Sequence, residues 1–143
     1  MTAITSRDAT TAPARWQDRT GRILMALTAA VTLVPFVDGI SRINAATGDQ
    51  VLMEFWRTFA YIVFAGMWAL LAVAPRQQRG MWELLLFHKI AVSIQAAFVI
   101  DVPNAGRTLI ADGLVSLTTI VAYVLCRGWY TWRRGALGPH DNR

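Results

Sequence analysis

Four long apolar stretches constrain this chain more than any other feature, near residues 23–42, 55–74, 81–100 and 108–129. Each is close to the ~20 residues that cross a hydrocarbon core of ~30 Å at 1.5 Å per residue. Lipid offers no partner for backbone N–H and C=O groups, so spans this long and continuous must be helices; barrel strands would be shorter and would alternate. The connections between them are short. The expected fold is therefore an all-α integral membrane domain, an up-down-up-down four-helix bundle over residues 21–132. It is flanked by polar tails at 1–20 and 133–143.

Composition narrows the function classes. Of the 143 residues, 55% are hydrophobic and 16% charged, against roughly 45–50% and about 25% in soluble domains. The spans consume most of the chain, leaving no segment for a second, water-soluble domain of about 50 residues or more. Residues 1–20, rich in Thr, Ala and Arg, cannot bury a core and are expected to form a mobile tail. The run that follows is long for a signal h-region and lacks a small-x-small site after it, so an uncleaved first span is expected.

Basic residues set the orientation, because those in short loops stay on the cytoplasmic side. Of the fourteen, ten fall on one side if both termini are placed together, among them Arg15, Arg19, Arg22, Arg76, Arg79 and Arg127. Only Arg42, Arg57 and Arg107 fall on the other, and Lys89 lies within a span. Both termini are thus expected in the cytoplasm. Interfacial aromatics agree: Trp82, Trp129, Tyr130 and Trp132 mark the inner boundary and Phe55 and Trp56 the outer one. The net charge of +5 then reflects topology and attraction to anionic lipid, not nucleic-acid binding.

Charged and polar residues within spans face an interior or a cavity, since a charge near the bilayer centre costs from about 2.5 kcal/mol upward. Asp112, Ser116, Thr119 and Tyr123 recur at helical spacing on span four, and Asp38 and Arg42 on span one. Arg57 and Tyr61 align on span two, His88 and Gln95 on span three. If these stripes face inward they enclose a polar pocket in the outer half of the bundle. The candidate ligand-binding or proton-handling residues are therefore Asp38, Arg42, Arg57, Tyr61, His88, Gln95, Asp112 and Ser116. The alternative for Asp38, Arg42 and Arg57 is a set of pairs that only lock neighbouring helices. Lys89 is expected to snorkel toward anionic headgroups. His88 is read as a donor to a neighbouring helix or a contact for a lipid or quinone headgroup. With His140 in the tail, a two-histidine haem within one chain is excluded. No metal-ligand cluster, nucleophile triad or phosphate loop is present, so no catalytic residue is assigned. Cys126, the lone cysteine, reads as a small buried side chain.

Arg22-Ile-Leu at the start of span one and Gly39-Ile-Ser-Arg42 at its end resemble the opening Arg-x-x-Leu and closing Gly-x-x-Lys of the DoxX-like small four-helix bacterial membrane proteins. The length and four-span layout are similar too, as they are to the BphX-like family. Early in span two this chain has Glu54-Phe-Trp-Arg-Thr where the DoxX-like pattern is a glycine-rich Glu-x-x-Gly-Gly. The resemblance implies an accessory subunit of a quinone-linked membrane oxidoreductase.

The expected function is thus a small inner-membrane accessory or binding protein, not an enzyme on its own, with lipid, a membrane oxidoreductase or further copies of itself as partners and a quinone as the candidate cofactor. The alternatives are a small oligomeric transporter or channel for a proton or solute, and a membrane enzyme acting on an apolar substrate through Asp38 or Asp112.

Overall fold

The computed structural model describes residues 13–133, so most of both expected tails lies outside the described residues. Within them the chain is helical: α1 (Arg15–Ala45), α2 (Gln50–Val73), α3 (Met81–Phe98), α4 (Ala105–Leu125) and a single turn, α5 (Tyr130–Arg133). The first four are long and apolar enough to cross a membrane. Below, the end of the bundle carrying both termini is called proximal, the other distal.

The helix bounds differ from the expected spans in instructive ways. α1 starts at Arg15, inside the stretch expected to be a tail, and its 31 residues span about 46 Å. Its first turns are held by side chains. The Gln17 carboxamide accepts from the Ala14 N–H at 3.0 Å, satisfying one of the orphan donors of a helix N-terminus. Asp18 pairs with Arg76 and, at 3.7 Å, with Arg22. Arg22 in turn donates to the Ala72 and Val73 carbonyls at 2.7 and 2.8 Å, closing the C-terminus of α2, where unpaired carbonyls concentrate negative charge. α4 ends at Leu125, short of residue 129. Arg127 adopts φ 52°, a left-handed conformation that breaks the helix, and Gly128 then packs so closely on Tyr123 that a Cβ would lie 2.3 Å from its ring. The chain folds back, and the Trp132 indole N–H reaches the Glu83 carboxylate of α3 at 2.9 Å.

The antiparallel connectivity makes four potential neighbour pairs, and only three are extensively packed. α1 lies against α2, α3 against α4, and α1 against α4. α2 and α3 are joined by the short turn that begins at Pro75, with Gly80 at φ 74°, yet meet along little of their length. One side of the four-helix square is therefore open.

The core explains where it opens. Met25, Ala29, Trp68, Leu71, Trp82, Leu85, Ala122 and Cys126 form one buried cluster contributed by every long helix or its cap, all in the proximal half. In the distal half the buried residues are small: Gly39 and Thr58 on α1 and α2, Ala96 and Ala105 on α3 and α4. Small residues let two backbones approach closely. Each hairpin thus closes on itself distally, and no large side chain joins one hairpin to the other there. Many other large apolar side chains point outward, Phe98 being 85% exposed, the arrangement lipid favours and water does not.

Candidate functional site

The buried stripe of α3 runs Trp82, Leu85, Lys89, Ala96. These positions share one helical face, so Lys89 begins its path inside the bundle and not toward lipid. Its Nζ meets Asp112 Oδ1 of α4 at 2.6 Å, the two side chains being only 11% and 16% exposed. Lys89 lies about 9 Å from the Glu83 level and Asp112 about 16 Å from the facing Tyr123 level, a difference the lysine stem spans by extending distally. The expectation that Lys89 snorkels is overturned: its ammonium is held inside the bundle, where the Asp112 carboxylate offers a charge-assisted hydrogen bond.

Aromatic rings complete the surroundings. The ammonium lies 4.8 Å from the Phe64 ring centroid and 5.6 Å from that of Trp68, both on α2, within cation–π range. The His88 ring packs on Phe64 at 4.5 Å. Trp68 is buried, and its indole N–H has no acceptor among the described residues. Ser116, one turn from Asp112 and buried, donates to the Asp112 backbone carbonyl at 2.8 Å; its proton is spent on the helix and not on the carboxylate.

The other candidates are placed differently. Asp38 and Arg42 pair with each other across one turn of α1 and remain about half exposed. Gly39, which faces Thr58, occupies the buried direction there, so the adjacent Asp38 is turned away. Arg57 pairs with Glu54 of its own helix. Tyr61 is half-buried, and His88 and Gln95 are exposed. The structure therefore brings Asp112 and Ser116 to the interior with His88 at its edge, and leaves Asp38, Arg42 and Arg57 in local pairs outside it. An outer-half pocket uniting both carboxylates does not form.

Sequence reasoning missed the partner of Asp112 and the aromatic wall. The signal available was spacing: Lys89 follows Trp82 by seven residues and Leu85 by four, the rhythm of one buried face. Nothing local in the sequence pairs Phe64 with His88, since that contact depends on how α2 and α3 diverge.

Chemically the site can hold a neutral polar head. Lys89 retains donors beyond the one used on Asp112, and Asp112 retains its second oxygen as acceptor. Among the described residues no group of three or more His, Cys, Asp or Glu side chains is placed to hold a metal ion. No protein-family model, curated protein or solved structure matches the chain, so the site is interpreted from its own geometry.

Proposed function

We propose that this chain is a small binding or accessory subunit of the bacterial inner membrane, which holds an apolar molecule with a polar head, of the quinone class, at the Lys89–Asp112 pair. The observation that carries this reading is the pair itself: two opposite charges enclosed by three helices, with aromatic rings on one side and unused hydrogen-bonding capacity on both members. Ionisable groups inside a membrane are costly and mark ligand or ion pathways by default. The DoxX-like resemblance of span one supports the accessory role in a quinone-linked oxidoreductase. Purification in mild detergent followed by native mass spectrometry tests it. A retained small molecule or a stoichiometric membrane partner is expected, and the absence of both refutes it.

The depth of the pair favours one second reading, proton or solute movement past Asp112 in an oligomer. Proteoliposome flux that is present in the native chain and lost in Asp112→Asn would select it over the binding reading.

A further inference from the structure

We propose that the open side between α2 and α3 is the route to this site, and that it admits a neutral, lipid-soluble molecule sideways from the membrane. This rests on the binding reading above and adds the path and the charge class of the occupant.

Three observations converge. First, α2 and α3 meet along little of their length, and the Phe64–His88 ring contact at 4.5 Å stands across the seam between them. Lys89 is the residue next to His88, and the Phe64 ring covers its ammonium. Displacing that ring therefore uncovers one side of the ammonium, the Trp68 ring staying in place on another. Phe64 is a gate, and His88 its support.

Second, the seam is lined with polar groups. Seven residues make nearly two whole turns, so Gln95 shares the face of His88, and Arg57 the face of Phe64. Each lies about 10 Å distal to the ring contact. Tyr61 lies one turn from Phe64. Gln95 is exposed and Arg57 nearly half exposed. Lipid tails leave an amide such as that of Gln95 without partners; a head that can exchange hydrogen bonds on its way inward gives it one.

Third, both charged groups along the path are already balanced, Arg57 by Glu54 and Lys89 by Asp112. An anionic head would add an unmatched charge beside Asp112, and a cationic one beside Lys89, in a medium where unpaired charge is strongly disfavoured. A neutral head with a carbonyl oxygen for Lys89 and a hydroxyl for Asp112 meets both without surplus.

The test uses the full chain in phosphatidylcholine nanodiscs and a photoreactive azido-quinone, with labelled residues located by mass spectrometry. Label is expected within 57–68 and 88–95, reduced at least about tenfold in Ala91→Trp, which fills the seam from the exposed face it shares with His88. Leu114→Trp, on the exposed face of α4, leaves it unchanged. As a plug added after folding, Ala91→Cys is blocked with benzyl methanethiosulfonate, which the buried Cys126 escapes, and the same loss is expected. A carboxylated version of the probe labels at least tenfold less. Undiminished labelling in both plugged proteins overturns the route while leaving binding intact, and equal labelling by the two probes overturns the charge class. No labelling of the native chain overturns the route and the binding reading together.

Discussion

Asp112→Asn tests the central pair most directly. At 2.6 Å the gross attraction between the two charges is about 6 kcal/mol with an effective dielectric constant near 20. Most of this offsets the desolvation of the two groups, so the net value of the intact pair is small. Removing one member is different, because the ammonium of Lys89 then stays among Phe64 and Trp68 with no counter-charge. That arrangement costs about 3–5 kcal/mol; the cation–π contacts are made with or without Asp112 and offset none of it. A loss of roughly 3–5 kcal/mol is expected for Asp112→Asn, measured as unfolding free energy by sodium dodecyl sulfate titration of the detergent-solubilised protein. The double substitution Lys89→Met with Asp112→Leu removes both charges and keeps much of the volume. It should recover to within about 1 kcal/mol of the native chain or exceed it. A loss under about 1 kcal/mol for the single change, or a double variant as unstable as the two singles summed, would show that the pair is not enclosed as described.

Other expectations follow from the same packing. Gly39→Ala places a Cβ 2.3 Å from Thr58 Oγ1, forcing α1 and α2 apart by about 1 Å and costing about 1–3 kcal/mol; adding Thr58→Ala should restore most of it, as read by thermal unfolding. Asp38→Asn and Arg42→Ala should each change stability by less than about 1 kcal/mol, because that pair is half exposed and local. Arg22→Ala removes two hydrogen bonds to the end of α2 and should cost roughly 1–2 kcal/mol, with faster hydrogen exchange concentrated in the last turn of α2. Cys126, fully buried at the proximal end, should resist maleimide in the folded protein and react once detergent denaturation exposes it.

Much of the architecture was legible in the residues. The apolar runs at 55–74 and 81–100 overlie α2 and α3 closely, differing by at most five residues at either end. α1 begins eight residues before the apolar run at 23–42. Asp18, Gln17 and Arg22 extend α1 through hydrogen bonds and ion pairs, which a hydropathy reading does not register. α4 ends four residues before the end of the apolar run at 108–129: the aromatic residues there are apolar enough to continue a span, but the left-handed turn at Arg127 ends the helix, and Trp132 is brought onto α3.

Sequence alone determined that the chain is helical and built of four membrane-length segments, because backbone satisfaction in lipid and the length of an apolar run are local, one-dimensional constraints. It also marked Asp112 as an interior group, since a carboxylate at that depth has no favourable place in lipid. Only the tertiary structure decided its partner. Whether Asp112 meets Arg57, Arg42 or Lys89 depends on which helices touch, and that follows from the small residues that zip each hairpin distally and the large ones that join all four helices proximally. The same division of small and large side chains leaves α2 and α3 apart, and so creates the open side beside the Lys89–Asp112 pair.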